Sequence, residues 1–495
     1  MILVLRITAV IDSSGTQQSW YYTDGRGWVT RPSDTPAGVH VSPRMMSSGF
    51  FRREMFAGDG LFGAVRSGWG EFVIANADGK WLGDVEHEGT QYGWDGQAFA
   101  LWAGEEDGDF PADFVQVGAG SIRSVKLGLS VATVVIRDDM DRLNKPVLTR
   151  TFLGTGGLEG DSTLAGKRAP RAFSDLIPPV PCTLVDAARL IYHVSDGPTL
   201  YPSFATAHDG GVALTMGAIY SSTADLIATA PAAGQARFYG GGPCYVRLGS
   251  APAYDVSCSP SEVRLSTGAV PWLSQLALEA GISGASGSVI NIEEYLPIDS
   301  SDTYLQVMAR ACKSWPSWFG FDALGQFTAG LISDPIGESP VATIRQSQIL
   351  SIERTAPPGL DVPVWRVQTI GRKNWMFGKT LAGAAPAYLR REWYSSQAES
   401  DASVLTRHQF AGDMSIESPR YSFGGAEAFL DLHKLDRDFL RVTVPMTLAV
   451  LSTIDLAACV EVVYPRFGMS AGKNFMVVGI DAQWGARTVT YSLWG

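Results

Sequence analysis

Thr488-Val489-Thr490-Tyr491-Ser492-Leu493-Trp494 decides what kind of fold this chain takes. Val489, Tyr491 and Leu493 alternate with Thr488, Thr490 and Ser492, and a period of two sends alternate side chains to opposite faces. An amphipathic helix would instead space its apolar residues three and four apart. The heptapeptide therefore predicts a β-strand with one buried face. Upstream, Val460 to Tyr464 and Phe475 to Ile480 are rich in β-branched and aromatic residues and predict two further strands. Gly468-Met469-Ser470-Ala471-Gly472 lies between them and reads as a hairpin loop.

Val362 to Ile370 predicts another strand, and 425–440 a helix with Phe429, Leu432 and Leu435 facing one way. At the other end of the chain, Ile2 to Ile11 is an apolar, β-branched run. Trp69 to Ile74 leads into Asn76-Ala77-Asp78-Gly79, a turn with Gly where a positive φ is expected. Ile122 to Ile136 reads as a hairpin. Glu105, Glu106, Asp107 and Asp109 share a loop and read as a solvated tip rather than a cation site. Pro178 to Pro181 marks a boundary, after which Leu184, Ala187, Ala188 and Ile191 carry helical spacing. Short strands fill 200–265.

Pro271 suits the first turn of a helix carrying Leu273, Leu276, Ala277 and Ala280, with Gly281 as its C-terminal cap. Ser301 or Asp302 is positioned to cap a second helix with Leu305, Met308, Ala309 and Cys312 on one face. Trp318 to Phe321 and Phe327 to Leu331 then form a hairpin around Gly325. The chain divides into a β-rich N-terminal unit (1–178), a mixed β unit (179–265), a helix–helix–hairpin module (266–335) and a β-rich C-terminal unit (336–495). The expected fold class is α+β, β-rich and multidomain.

The 495 residues carry a formal net charge of −11. Gripping phosphates needs clustered Lys and Arg, so stable nucleic-acid binding is not expected. An acidic surface suits simple solubility, or a wall past which DNA slides. Cys182, Cys244, Cys258, Cys312 and Cys459 are odd in number and form no CxxC pair, which points to reduced thiols rather than a metal site. Met1 to Thr8 lacks the charged n-region of a signal peptide, and no apolar run reaches the length of a membrane span.

Chemical motifs are weak. Gly468 to Gly472 spells G-x-S-x-G, but a nucleophile elbow requires a strand before and a helix after, and both flanks read as strands. Gly378-Lys379-Thr380 lacks the upstream Gly of a phosphate loop, because Lys373 occupies that position, and Gly240 to Gly242 lacks the following Lys. The doublets Asp138/Asp139 and Glu293/Glu294 place neighbouring carboxyls on diverging directions, so neither makes a facing acid–base pair. The six His form no metal-binding spacing. Trp315, Trp318, Trp365, Trp375 and Trp393 suit core or interface packing better than a sugar platform. No catalytic, cofactor-binding or metal-binding residue is expected.

Several segments, in order, resemble the tail-tip hub proteins of siphophages. They are Pro43-Arg44, Gly70 to Gly79, Leu184 to Gly197, His208 to Leu214, Tyr245 to Ser250 and Gly371-Arg372-Lys373-Asn374-Trp375. At the end, Tyr464-Pro465-Arg466-Phe467-Gly468 through Val477-Val478-Gly479-Ile480 to Leu493-Trp494-Gly495 carries the resemblance furthest. Gly371 departs from it, standing where such proteins more often have Tyr. The resemblance implies a fold related to the hub portions of contractile-tail baseplates and type VI secretion spikes. Two β-barrel-like hub domains per chain would pack in a homotrimer around a DNA channel, with smaller α+β domains outside. It implies a structural virion protein made in the bacterial cytoplasm. Its partners would be the distal tail protein, the tape-measure protein and central tip or fibre proteins. A receptor-binding or glycan-degrading tail component is the competing expectation.

Overall fold

The computed structural model describes residues 1–55, 62–81, 92–173, 179–196, 206–259, 272–283, 286–287, 296–298, 301–313, 316–355, 364–418, 426, 430 and 438–495. The protein is a β-rich α+β multidomain chain. Among the described residues, a nine-stranded sheet lies at the N-terminal end and an eight-stranded sheet at the C-terminal end.

The first strand, Ile2–Val10, pairs antiparallel with Gln17–Thr23 on one side and Ala98–Gly104 on the other. Val115–Leu127, Val131–Ile136 and Phe72–Ala75 follow in order across the sheet. Leu3, Leu5, Ile7 and Ala9 enter the main core, whereas Ile2 and Val4 join Tyr21, Val41, Phe110 and Phe114 in a second cluster on the opposite face. Burial on both faces explains why this strand is a continuous apolar run and not an alternating one.

This sheet must roll up. His40–Ser42 pairs with Gln17–Thr23 near one edge, and Met45–Ser47 pairs with Phe72–Ala75 at the other. Only Pro43 and Arg44 join them. Laid flat, seven strand spacings would hold these segments about 34 Å apart. Three Cα steps reach only about 11 Å. The curl therefore brings the two edges together, and Arg44 O accepts from Ala75 N at 2.8 Å immediately beyond the bend.

The C-terminal sheet curls by the same device. Its order runs Ala342–Arg345, Cys459–Val463, Lys473–Gln483, Thr488–Trp494, Phe439–Pro445, Ser351–Thr355. The first and last strands, at opposite edges, are joined by residues 346–350, of which Gln346–Gln348 form a 3₁₀ turn. Five spacings would separate them by about 24 Å in a flat sheet. Six Cα steps reach about 20 Å at full extension, and the 3₁₀ turn shortens that further. Val489, Tyr491 and Leu493 are buried as their alternation predicts, and Leu440, Val442 and Val444 of the neighbouring strand line the same interior.

The two helices and the hairpin expected within 266–335 are present. The helix Trp272–Glu279 buries Leu273, Leu276 and Ala277, Ala280 follows it buried, and Gly281 has φ +82°. The second helix, Tyr304–Ala311, is capped by Thr303 rather than by Ser301 or Asp302. Thr303 wins because its hydroxyl accepts from Gln306 N while the Gln306 side chain returns to Thr303 N, a reciprocal box that satisfies two free donors. Asp302 instead pairs with Arg310 through two bonds of 3.0 and 2.6 Å. The hairpin Ser317–Phe321 with Phe327–Leu331 turns at Gly325, φ +71°.

One expected helix is a hairpin. Thr183–Asp186 and Ile191–Ser195 are antiparallel strands, and Leu184, Ala187 and Ala188 are exposed. Asp186 accepts from Arg189 N at 3.0 Å, and Leu190 adopts φ +54°, which closes a tight turn. Ile191 to Ser195 is buried throughout as a central strand, where β-branched residues outweigh the helical spacing. Most of the helix expected over 425–440, including Phe429, Leu432 and Leu435, lies outside the described residues. Phe439 and Leu440 begin a strand.

Substitution should separate these cores from the surface. Leu5→Ala, at a fully buried position, should destabilise by about 2–5 kcal/mol. Leu129→Ala, 98% exposed, should change stability by less than about 0.5 kcal/mol. Urea midpoints of the purified chain measure both.

Candidate functional site: the joint between the two rolled sheets

The sheets are not separate. Phe50-Phe51-Arg52-Arg53-Glu54 leaves the N-terminal region and pairs antiparallel with the C-terminal strand Lys473–Gln483, from Glu54 opposite Gly479 to Phe50 opposite Gln483. Its other edge pairs with Arg66–Trp69. Met55 N extends the ladder to Val478 O at 2.9 Å. One hydrophobic core consequently contains Leu3, Phe72 and Phe99 together with Val442, Val477 and Tyr491.

Period-two alternation explains the side chains of this strand. Arg52 faces out and bonds Asp481 through Nε and Nη2 at 3.0 and 2.6 Å. Phe51 faces in, 4.5 Å from the ring of Trp69, which meets Phe99 edge-on at 5.1 Å. Trp69 fits because position 118 is glycine: a methyl group there would stand 2.5 Å from the indole.

Arg53 is a charged side chain at a core position, 1% exposed. Its guanidinium ties three parts of the chain together. Nη1 bonds Asp455 of the C-terminal unit, Nη2 donates to Thr328 Oγ1 of the hairpin at 3.1 Å, and the backbone belongs to the crossing strand. Burial pulls its pKa down, while Asp455 and then Asp322 oppose that. Arginine remains charged in such a place, so the partners must stay. A cleft of about 330 Å³ opens beside it, lined by Val117 of the N-terminal sheet, Asp322 of the hairpin, and Ile454, Trp484 and Tyr491 of the C-terminal unit.

The hairpin tip seats against the N-terminal sheet next to this point. Ala119 N donates to Ala323 O at 2.8 Å, and Arg142 Nη1 donates to Gly325 O at 3.1 Å. The Asp138/Asp139 doublet lies here. As divergence predicts, the two carboxyls do different things: Asp138 accepts from Met140 N and Ser67 Oγ, and Asp139 is buried beneath the tip. Burial pushes Asp139 up to about 6, and also raises Asp138 and Asp322.

Ser470 is exposed in a loop between Cys459–Val463 and Lys473–Gln483, with no helix after it. Gly378 and Lys379 sit in a turn, and Gly240 to Gly242 link two strands. Glu293, Glu294 and Trp315 lie outside the described residues. Among the described residues, no group of three or more His, Cys, Asp or Glu is placed to hold a metal ion. His193 is buried between the edges of Phe152 and Tyr245, 3.8 Å from Asp196, and burial pushes its pKa down. Trp318 packs in the core, and Lys373 Nζ lies 5.1 and 5.3 Å over the rings of Trp375 and Trp393. Asn374 is buried and bonds the carbonyls of Leu389 and Arg391, pinning the chain that follows its strand.

A second, polar cleft of about 360 Å³ lies on the C-terminal sheet, with Glu54 and Glu353 at its sides. The row between them reads Glu54, Gly479, Ser492, Arg441, Glu353. The two carboxylates lie on strands four spacings apart in that row.

No family model and no curated protein matches the chain. Among solved structures it is similar to the 43 kDa tail protein of prophage MuSo2 from Shewanella oneidensis, at 9% identity and TM-score 0.45, covering 100% of this chain and 98% of that one. It is also similar to the tail protein from Neisseria meningitidis MC58, at 10% identity and TM-score 0.43 over 100% and 96%. A third is prophage tail protein gp18 from Listeria monocytogenes EGD-e, at 7% identity and TM-score 0.42 over 99% and 94%.

The ion pairs should differ in weight. Asp455→Asn leaves a buried guanidinium without its counter-charge and should cost about 3 kcal/mol. Arg53→Met should cost less, because Asp455 is 58% exposed and keeps its water. Asp481→Asn, whose partner Arg52 is solvated, should cost less than about 1 kcal/mol. Urea titration of the three variants gives the ranking.

Proposed function

We propose that this chain is the hub subunit of a long non-contractile bacteriophage tail tip. Three copies form a ring that joins a sixfold tail tube to a threefold tip and gates the channel through which DNA leaves. The observation that carries this reading is the presence of two sheets in one chain, rolled by the same bent-strand device and sharing one core, with Phe50–Glu54 from the N-terminal region paired into the C-terminal sheet. Three such chains supply six comparable units, which is the symmetry match that a threefold-to-sixfold adaptor requires. The ordered resemblance from Pro43-Arg44 to Leu493-Trp494-Gly495 supports the same reading. Within it, 1–178 and 336–495 are the hub domains, and 179–265 and 266–335 are the smaller domains outside.

The work of this molecule is architectural, and no residue has a catalytic role. Its partners are its own copies, a distal tail protein, a tape-measure protein and central tip or fibre proteins. DNA passes without stable binding, consistent with a net charge of −11 that repels phosphate. It resides in the virion after synthesis in the bacterial cytoplasm.

Sedimentation of the purified chain tests the assembly. The expected mass is three times 53.1 kDa at micromolar concentration. A stable single subunit, or a map of the particle placing the chain away from the tail axis, would overturn the proposal.

A further inference from the structure

The seat of the hairpin tip on the N-terminal sheet is built around a buried acid. Asp139 lies between two glycines from opposite sides of the contact: a methyl group on Gly120 of the sheet or on Gly325 of the hairpin would stand 3.3 or 3.4 Å from its Oδ2. At Gly120 a methyl group would also stand 2.9 Å from the ring of Phe99, and at Gly325 the backbone has φ +71°, so both positions favour glycine and leave room for the carboxyl between them. Among the described residues, its one ion-pair partner is Arg142, whose Nη1 is 3.6 Å away. That same guanidinium is shared with Gly325 O and lies 5.0 Å over the ring of Phe321.

Every element packed here contributes charge. Asp138 precedes Asp139 and is held by Ser67 Oγ and Met140 N. Asp141, on the same turn, faces Arg137 at 3.8 Å. The hairpin brings Asp322, whose carboxylate accepts from Leu324 N and Gln326 N at the tip. Beyond it stand Arg53 and Asp455. Five acids, Asp138, Asp139, Asp141, Asp322 and Asp455, face three cations, Arg53, Arg137 and Arg142, so an ionised Asp139 is poorly compensated while the tip is seated.

We propose that this contact is a proton-operated latch: a protonated Asp139 lets the hairpin Ser317–Leu331 seat on the N-terminal sheet, and an ionised Asp139 loosens it. Protonation removes the buried charge and leaves intact the tip's bond to the sheet and its bond to the 3₁₀ turn Asp139–Leu143, since Ala119 N to Ala323 O and Arg142 Nη1 to Gly325 O do not involve the carboxyl. The latch couples the position of the helix–helix–hairpin module to the acidity around the particle.

The sign follows from where the acid titrates. Burial raises the seated Asp139 to about 6, above the ordinary 3.8. The seated form therefore holds the proton more tightly than the open form. Seating is weakest above pH 6, strengthens as pH falls through 6, and gains nothing more below 3.8. Asp138 and Asp322, also raised by burial, act in the same direction.

Hydrogen exchange of the full chain tests the latch. Protection factors of the hairpin amides 317–331, corrected for intrinsic exchange, should rise about tenfold between pH 7.5 and pH 5. Amides of Thr488–Trp494 should not follow them. Asp139→Asn, always neutral, should remove most of that rise, and Asp141→Asn should leave it intact. Arg142→Gln should move the midpoint to higher pH, and it serves as the test if Asp139→Asn fails to fold. A flat wild-type profile, a full rise in Asp139→Asn, or an unmoved midpoint in Arg142→Gln would each overturn the proposal.

Discussion

The structure depends on one strand lying in another unit's sheet. Phe50–Glu54 sits near the start of the chain and the strand it completes near the end, and its Arg52 reaches Asp481 at a sequence distance of 429. Because the side-chain period is two, placing Phe51 and Arg53 inward forces Arg52 and Glu54 outward, and a slip of one residue would bury Arg52 against the core. Arg53 then enforces the choice. Its buried guanidinium has its counter-charge only where Asp455 is in place and its second hydrogen-bond acceptor only where Thr328 is, so the crossing strand, the hairpin and the C-terminal sheet must assemble together.

Rolling of the two sheets follows from connection length rather than from any special residue. The links Pro43-Arg44 and 346–350 are too short to bridge the edges of flat sheets. Both closures use a single bent chain that pairs on one side before the bend and on the other after it. A ring of like units is physically simple to build when one chain already carries two rolled sheets joined at a shared core.

Much of this was legible in the sequence. The alternation at Thr488–Trp494, the hairpin at Gly325 and the helix ending at Gly281 are local signals and hold locally. The pairing of Phe50–Glu54 was not legible, because register between distant strands is set by burial in three dimensions. Its trace is a charged residue, Arg53, alternating with Phe51 on what becomes the inward face. At Leu184 to Ile191 the helical spacing was outweighed by Asp186, which closes a turn, and by a β-branched run buried between two strands. The seat under the hairpin tip was half visible: Asp138 and Asp139 stood out as a doublet, but Gly120 and Gly325, which enclose Asp139, come together only in the fold.

A shared core requires that the crossing strand and the C-terminal sheet form one cooperative body. Native-state hydrogen exchange in rising urea measures this directly, on the strand amides of Phe50–Glu54 and of Lys473–Gln483. Both sets are predicted to open with one free energy and one urea slope, as parts of a single unfolding unit. Opening of Phe50–Glu54 at much lower free energy, with Lys473–Gln483 still protected, would contradict it.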